Sequence, residues 1–376
     1  MIRNKGISQK ISLFLPDLCV GGAERLTINL ANEWSQKGFE IELVVLKAAK
    51  PNDDLGDYVL PSVKLVILNS SSLLRSVMPL FSYFRRAKPD ISIAAMWPLT
   101  VVSVISWLLS GRCGKLFISD HTQLSISMLH EFKANKFFVR TSIFIFYNLA
   151  SGIIAVSKGV QEDLCALGML QKKSIRVIYN PASLHSFEKE AQTSDPFQEL
   201  WQEPGYKILA VGTLKKQKDF ITLINALNQV SMDKRVSLII LGEGPERPAL
   251  EALIDSLGLS GNVSLPGYVI DTFPYFKCAD LFVLSSAWEG FGNVLVEALE
   301  CGTPIVSSNC KSGPSEILEN GKYGKLVEVA NHVEFARGIE EMLKADHNSE
   351  YLKQRATIFS VEKIALEYLD YFQKTT

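Results

Sequence analysis

Short apolar segments alternate with amphipathic helical segments along almost the whole chain, and this alternation most constrains the fold. Ile11–Leu15 predicts a strand, Ala23–Lys37 predicts a helix with one apolar face, and Ile41–Leu46 predicts the next strand. A helix between two strands brings the chain back so that the next strand lies parallel to the first. The pattern therefore predicts parallel sheets with helices on both faces. The 376 residues exceed a typical single domain and indicate two.

The alternation is interrupted once, where three prolines occur among polar residues. Further strands are predicted at 65–68, 91–94, 116–119, 152–156, 175–179, 208–212, 237–241, 263–265, 281–284, 304–307 and 324–327. The predicted divisions are a first domain at 1–182, a linker at 183–205, a second domain at 206–358, and a C-terminal helix at 359–376 that packs back toward the first domain. Two doubly wound α/β domains predict a central cleft, with ligands at the carboxyl ends of strands.

Charge and cysteine usage exclude several classes of protein. The net charge of -1 provides no basic field for nucleic acid. The six cysteines form no C-x-x-C pair, which indicates thiols in a reducing compartment. The five histidines are scattered, and Asp53 and Asp54 lie in a polar stretch that predicts a surface loop. No metal site is therefore predicted.

The sequence predicts a cytoplasmic protein. The first ten residues are polar and no signal peptide follows them. The longest apolar tract, 137–156, is interrupted by polar residues and falls short of the roughly 20 apolar residues that span a bilayer. Residues 1–200 hold 22 basic and 17 acidic residues. This basic excess either favours contact with an anionic membrane or an anionic acceptor, or it has no functional meaning.

Two aromatic and basic stretches allow two interpretations. Residues 81–86 and 133–147 either form helix faces that are buried against a sheet or lie on a membrane surface. The second interpretation predicts peripheral contact with the inner face of the cytoplasmic membrane.

The most informative stretch runs from Ser285 to Pro304. A buried strand ends near Ser285, a glycine-containing loop follows, and a helix is predicted to start at Asn293 as its N-cap. A helix start carries unpaired N–H groups and partial positive charge, which suit a diphosphate. Gly290 and Gly292 let the backbone approach a ligand closely. Glu297, one turn into the helix, is placed to accept hydrogen bonds from a ribose diol.

This stretch resembles a known donor site. The E-x7-E spacing of Glu289 and Glu297, with Gly-Phe-Gly between them, resembles the retaining family 4 glycosyltransferases, which have the GT-B fold of two Rossmann-like domains. Further segments that match this family are Val20-Gly-Gly-Ala-Glu-Arg25, Asn180-Pro181, Val211–Asp219, Leu241–Pro245, Leu265–Tyr268 and Ser312–Ile317. The resemblance therefore extends over nearly the full chain.

The resemblance implies a role for each matching residue. Lys218 neutralises the diphosphate, Glu297 holds the ribose, and Glu289 holds hydroxyls of the donor sugar. The other residues implied in binding are Gly290, Phe291, Gly292 and Asn293 at the sugar, Val294 and Leu295 at the diphosphate, Tyr268 at the base, Gly22 from the first domain and His121 facing the sugar. Considered singly, Gly22 also fits a tight turn, Tyr268 also fits packing, and His121 also fits a strand end that satisfies backbone groups.

One position departs from the family pattern. Thr213 stands where the family usually has an arginine beside the diphosphate. The positive charge of that arginine is either lost or replaced by Lys215 or Lys216. A flexible lysine is a poorer partner for a phosphate than a bidentate arginine. No cofactor or metal is expected, because Lys218 and the helix dipole offset the diphosphate charge.

The resemblance thus implies a retaining glycosyltransferase. A hexose or N-acetylhexosamine is expected to pass from a nucleotide sugar, most simply a UDP-sugar, to a glycan or polyprenyl-linked glycan of the cell surface. One alternative is a non-catalytic nucleotide-sugar-binding subunit of a glycan-assembly complex, which the change at Thr213 allows. A dinucleotide-dependent oxidoreductase is disfavoured because no predicted strand is followed by G-x-G-x-x-G.

Overall fold

The computed structural model describes residues 9–19, 21–48, 55–70, 72–130, 135–181, 201 and 204–375. Asp53, Asp54, Val20 and most of the predicted linker at 183–205 lie outside these residues. The chain forms two compact units, Met1–Pro181 with Val361–Thr376, and Ala182–Ser360.

The first unit contains a seven-stranded parallel sheet. Its strands are β1 (Lys10–Leu15), β2 (Glu40–Val45), β3 (Lys64–Ile67), β4 (Ile91–Ala95), β5 (Lys115–Asp120), β6 (Gly152–Ala155) and β7 (Ile175–Val177). The strand order is β3-β2-β1-β4-β5-β6-β7. The predicted parallel doubly wound sheet is confirmed, and most of its strand residues are buried because helices cover both faces.

Helices connect these strands in the same unit. They are α1 (Gly22–Gln36), α2 (Val77–Ala87), α3 (Leu99–Leu109), α4 (Leu124–His130), α5 (Lys136–Phe146) and α6 (Lys158–Gly168). In α1, one face buries Leu26, Leu30 and Trp34, as its apolar spacing predicts.

The second unit contains a six-stranded parallel sheet. Its strands are β8 (Tyr206–Val211), β9 (Val236–Leu241), β10 (Val263–Gly267), β11 (Leu281–Leu284), β12 (Ile305–Ser308) and β13 (Lys325–Val327). Its helices are α7 (Phe220–Leu227), α8 (Arg247–Ser256), α9 (Phe273–Cys278), α10 (Asn293–Cys301), α11 (Pro314–Ile317), α12 (His332–Lys344) and α13 (Ser349–Ala356). The strand order is β10-β9-β8-β11-β12-β13.

The last helix, α14 (Val361–Lys374), packs on the first unit. The indole N–H of Trp34 in α1 donates to the Ala365 carbonyl at 3.2 Å. The ring of Phe372 lies 4.5 Å from that of Phe117 in β5, measured between centroids. These aromatic contacts make α14 part of the first unit's core. Within the residues described, no helix is both long and apolar enough to cross a bilayer.

Candidate active site

The strand order of the second unit defines a crevice between β8 and β11. From β8 the chain runs outward to β9 and β10, and it then returns to β11 on the other side of β8. Ligands of doubly wound sheets bind at such a switch point, outside the carboxyl ends of the strands. Lys218 lies in the loop after β8 and Glu289 lies in the loop after β11, so the structure places both residues beside this point.

Hydrogen bonds join the two loops that carry these residues. The Ser285 hydroxyl donates to the Lys218 carbonyl at 2.7 Å. The Ala287 N–H donates to the Gln217 carbonyl at 2.8 Å, and the Gln217 side chain donates back to the Trp288 carbonyl at 3.0 Å. The two loops therefore form one bonded assembly instead of two independent segments.

Lys218 and Glu289 form an ion pair at the centre of that assembly. The Lys218 Nζ lies 2.6 Å from the Glu289 Oε1, and the Ser286 hydroxyl donates to the same oxygen at 2.7 Å. The two side chains are 15% and 8% exposed. A Cβ at Gly212 would lie 2.9 Å from the Lys218 Cε, so the glycine makes room for the lysine stem.

Glycines bring three neighbouring strand ends into close backbone contact. A Cβ at Gly242, whose φ is 145°, would collide with the Gly212 carbonyl, and a Cβ at Gly244 would collide with the Leu214 carbonyl. The Gly242 N–H donates to the Gly267 carbonyl at 2.8 Å. These contacts fix the floor of the crevice on the side of β9 and β10.

Helix α10 begins in this crevice without a side-chain cap. Gly292 is the N-cap, in a left-handed conformation with φ 97°, and its carbonyl accepts the Leu295 N–H at 2.9 Å. The prediction that Asn293 caps the helix is wrong, since Asn293 is already its first helical residue. The left-handed turn requires glycine and moves the cap one residue earlier. Because no side chain caps the helix, its first N–H groups suit an anion.

The loop before α10 is held from beneath by the protein core. The Phe291 side chain is 2% exposed, and its ring meets that of Phe359 at a centroid distance of 5.6 Å. Gly313, with φ 96°, lies so close that a Cβ there would collide with the Phe291 carbonyl oxygen. The ring and the carbonyl of Phe291 are therefore both enclosed, and a contact of its backbone with a donor sugar stays a prediction.

The remaining predicted residues of this unit lie around the same loops. Glu297 is partly exposed one turn into α10, and Leu295 in the same helix is buried. Tyr268, directly after β10, is 43% exposed. Thr213 is exposed after β8. Gly290, Asn293 and Val294 belong to the loop and the first turn of α10.

Gly22 and His121 belong to the first unit. Gly22 is the exposed first residue of α1, and Gly21 before it is extended, with φ -163°. His121 directly follows β5, and its Nε2 lies 3.1 Å from the Ser119 hydroxyl. Its Nδ1 is buried and has no hydrogen-bond partner among the described residues.

Burial determines the charge of His121. Desolvation lowers the pKa of the imidazole to about 4, because the charged form loses hydration. The ring is therefore neutral near pH 7. A neutral ring accepts hydrogen bonds at one nitrogen and donates them at the other, which suits a sugar hydroxyl better than a phosphate.

Asp120, the neighbour of His121, was not predicted as a site residue from the sequence. This carboxylate is 1% exposed, accepts the Tyr147 hydroxyl at 2.6 Å and accepts the Trp97 N–H at 3.3 Å. Burial raises its pKa to about 6, an effect that the hydrogen bond from Tyr147 partly offsets. The only signal in the sequence was an acidic residue at the end of an apolar strand.

The acidic, histidine and cysteine side chains do not form a metal centre in the part of the chain that the structure describes. No group of three histidine, cysteine, aspartate or glutamate side chains with metal-binding geometry occurs in the described part of the chain.

Two family models match the chain. Residues 20–185 match the model described as Glycosyltransferase Family 4, and residues 191–358 match Glycosyl transferases group 1. The two matches do not overlap, and they cover most of both units.

Similar proteins have been named in several bacteria. A Campylobacter jejuni protein named N-acetylgalactosamine-N,N'-diacetylbacillosaminyl-diphospho-undecaprenol 4-alpha-N-acetylgalactosaminyltransferase is 29% identical, covering 96% of this chain and 99% of its own. The lipopolysaccharide core biosynthesis glycosyltransferase LpsE of Rhizobium meliloti is 28% identical over 86% of each chain.

Solved structures show the same fold. Anabaena Alr3699/HepE in complex with UDP and glucose superposes with a TM-score of 0.79 at 22% identity, over 97% of this chain and 99% of that one. The sucrose-phosphate synthase of Thermosynechococcus elongatus also gives a TM-score of 0.79, at 19% identity, over 97% and 98% of the two chains.

Proposed function

The chain belongs to glycosyltransferase family 4, with the GT-B fold, and from that premise we propose that it transfers a hexose or N-acetylhexosamine from a UDP-sugar with retention of configuration. The acceptor in this proposal is a hydroxyl of a surface glycan or of a lipid-linked glycan. The main observation that supports this proposed transfer is the buried Lys218–Glu289 ion pair at the switch point, beside the uncapped start of α10.

The donor diphosphate is proposed to lie between Lys218 and the first turn of α10. The lysine ammonium has three N–H groups, and the bond to Glu289 uses one of them. Lys218 is therefore able to hold a phosphate oxygen without releasing Glu289. The Val294 N–H in the first turn would meet another phosphate oxygen, with the helix dipole adding to the attraction, whereas the Leu295 N–H already donates to the Gly292 carbonyl.

The two ends of the donor are proposed to meet the two glutamates. Glu297 accepts hydrogen bonds from the ribose diol, one turn along α10 from the phosphates. Glu289 accepts hydrogen bonds from hydroxyls of the donor sugar. Backbone groups of Phe291, Gly292 and Asn293 hold the same hydroxyls. His121 of the first unit, neutral near pH 7, is proposed to contact a sugar hydroxyl, and Gly22 is proposed to approach the diphosphate. Tyr268 borders the base.

The reaction in this proposal needs no enzymatic nucleophile. The acceptor oxygen forms a bond to the anomeric carbon on the face from which the diphosphate departs. The bond from that carbon to the phosphate oxygen breaks, and the acceptor proton passes to the departing phosphate. Lys218 and the start of α10 stabilise the charge that develops there, and positioning supplies most of the rest. No metal or cofactor takes part in this proposal.

The names of the similar proteins support the choice of acceptor. The Campylobacter jejuni protein is named for a diphospho-undecaprenol substrate, and the Rhizobium meliloti protein is named for lipopolysaccharide core biosynthesis. We therefore propose a role in the synthesis of a surface polysaccharide or lipopolysaccharide. A lipid-linked acceptor places the enzyme at the inner face of the cytoplasmic membrane.

Calorimetry across a panel of nucleotide sugars in EDTA tests the donor site. One UDP-sugar is expected to bind and to release UDP slowly without metal, and Glu297→Ala is expected to weaken binding by roughly tenfold or more, because hydrogen bonds to a carboxylate are lost. Glu300→Ala, in the same helix, is the matched control and should bind as the wild type does. Absence of all nucleotide binding would contradict the placement of the site.

A second function is favoured by one residue. Thr213 leaves the usual arginine position without a positive charge, which would slow departure of the diphosphate more than it would weaken binding. The second candidate is therefore a nucleotide-sugar-binding subunit. Binding without turnover, even with membrane extracts as the source of acceptor, would establish it.

A further inference from the structure

The solvent-facing side of α5 and the turn after it consists mainly of large apolar side chains. The opposite side of the helix buries Val139, Ser142 and Ile143 against the unit. The exposed apolar residues, which we call the α5 face, are Phe137 at 77%, Phe138 at 62%, Phe144 at 52%, Ile145 at 45% and Leu149 at 37% exposed. A surface helix normally places polar residues there, so the α5 face requires an explanation.

The structure distinguishes the two aromatic stretches, each of which the sequence allowed to be either a buried helix face or a membrane surface. In the stretch at 81–86, Tyr83 and Phe84 are buried, so those rings belong to the core. In the stretch at 133–147, Phe137 and Phe144 are two turns apart on the same exposed side of α5. Only the second stretch therefore leaves aromatic rings open to solvent on this scale.

An apolar groove continues the α5 face toward α6. Its volume is about 640 Å³, and its lining includes Phe137, Phe144, Leu167 and Met169. A Cβ at Gly168 would collide with the Ile143 side chain, so this glycine lets the end of α6 approach α5 closely. The next residue, Met169, turns outward with φ 52° and is 72% exposed.

The charged side chains of α5 itself have one sign. Lys136 and Arg140 are exposed on α5, Arg140 also lines the groove, and residues 135–151 contain no acidic side chain. Long cationic side chains reach phosphates while their stems lie on apolar surface. Exposed phenylalanines beside cations match the boundary between anionic headgroups and acyl chains.

We propose that the α5 face docks on an anionic phospholipid bilayer, with the phenylalanines in the acyl boundary and Lys136 and Arg140 at lipid phosphates. The groove between α5 and α6 takes part of an acyl chain. This inference deepens the proposed function and rests on it for its purpose, since a lipid-linked acceptor lies in a bilayer. Its evidence is separate, because no donor-site residue belongs to the α5 face.

Vesicle sedimentation tests the proposal without donor or turnover. The wild type is expected to bind vesicles of phosphatidylcholine with about one third phosphatidylglycerol. The double variant Phe137→Gln, Phe144→Gln is expected to bind them roughly tenfold or more weakly, because two rings no longer enter the acyl boundary. The matched control, Ile221→Gln with Leu366→Gln, changes two residues that are 44% and 45% exposed elsewhere and should bind as the wild type does.

A second variant tests the charges and does not depend on the phenylalanines. Lys136→Gln with Arg140→Gln is expected to weaken binding roughly fivefold per cation and to remove much of its salt dependence. Circular dichroism and urea unfolding report whether each variant is folded, because the donor site lies in the second unit and does not report on α5. If the phenylalanine variant does not fold, the charge variant and the salt dependence of binding still test the proposal.

Three results would overturn the proposal. They are a wild type that does not bind the anionic vesicles, a folded phenylalanine variant that binds as tightly as the wild type, and a wild-type dimer that the same variant dissociates while neither binds vesicles. The last result would assign the α5 face to a second copy of the chain. A wild type that binds vesicles but no nucleotide would contradict only the proposed function.

Discussion

Lys218 and Glu289 are 71 residues apart in the chain, yet the ammonium of one lies 2.6 Å from the carboxylate of the other. Both side chains are largely buried, and the loops that carry them are bonded to each other. Each charge therefore depends on the other for compensation when no donor is bound. Two residues with separate proposed roles in the donor site therefore form one ion-paired structural element.

A double-mutant cycle is expected to show this dependence. Removing one partner leaves a buried charge uncompensated, so Lys218→Met or Glu289→Gln alone should lower the free energy of unfolding by about 3 kcal/mol. The double variant should lose less than the sum of the two single variants, because it leaves no buried charge. Urea unfolding measures all four proteins. Strictly additive losses would show that the pair is not coupled.

Restoring the family's usual arginine is expected to increase turnover. Thr213 is exposed after β8, so an arginine there meets no core packing, and it adds a fixed positive charge beside the proposed diphosphate site. Thr213→Arg should raise kcat/KM for donor hydrolysis about tenfold, with the larger part of the gain in kcat. Thr213→Gln, which adds length without charge, is the control. Equal rates for both variants would place the diphosphate elsewhere.

The sequence predicted the strands of both sheets because their apolar segments are short and separated by helical patterns. It did not predict the contact between Lys218 and Glu289, since spacing along a chain does not show which loops of a parallel sheet become bonded neighbours. The N-cap of α10 was placed one residue late. A side-chain rule favours Asn293, whereas the left-handed turn at Gly292 is a property of the folded backbone.

The apolar helix α5 shows a second limit. Its sequence is apolar on both sides, so periodicity alone does not indicate which side faces the core. Only the packing of Val139 and Ile143 against the unit leaves Phe137 and Phe144 outside. Asp120 was missed for a related reason, because its partners, Tyr147 and the Trp97 backbone, come from distant segments.

His121 is expected to remain neutral well below pH 6. Its pKa is lowered to about 4 by burial, whereas an unfolded histidine titrates near 6.5. The stability that the neutral ring contributes is therefore present above about 6.5 and is lost as pH falls toward 4. NMR of 13Cε1-labelled histidines, with His121→Ala for assignment, should show no inflection for this ring between pH 8 and 5. The same ring in urea is the reference, and an inflection near 6.5 in the folded protein would contradict the prediction.

Asp120 is expected to give the stability of the first unit a pH dependence of the opposite sign. Its pKa is raised from 3.8 to about 6, so its contribution is greatest below 3.8 and is lost as pH rises through 6. A shift of this size corresponds to about 3 kcal/mol. The asparagine in Asp120→Asn does not titrate, so this variant lacks the loss of stability that the wild type shows as pH rises. Between pH 4 and 8, the free energy of unfolding of the variant minus that of the wild type should therefore increase by up to that amount, as measured by urea unfolding.

A second variant separates this effect from a general loss of packing. The Tyr147 hydroxyl donates to Asp120 at 2.6 Å and lowers the carboxyl pKa, so Tyr147→Phe should raise that pKa further. In Tyr147→Phe, the loss of stability should still begin near the pKa of the unfolded carboxyl, but it should continue to a higher pH and become larger than in the wild type. Combining Tyr147→Phe with Asp120→Asn should remove the shift altogether. If all four proteins respond to pH in parallel, the carboxylate of Asp120 is not the group that titrates.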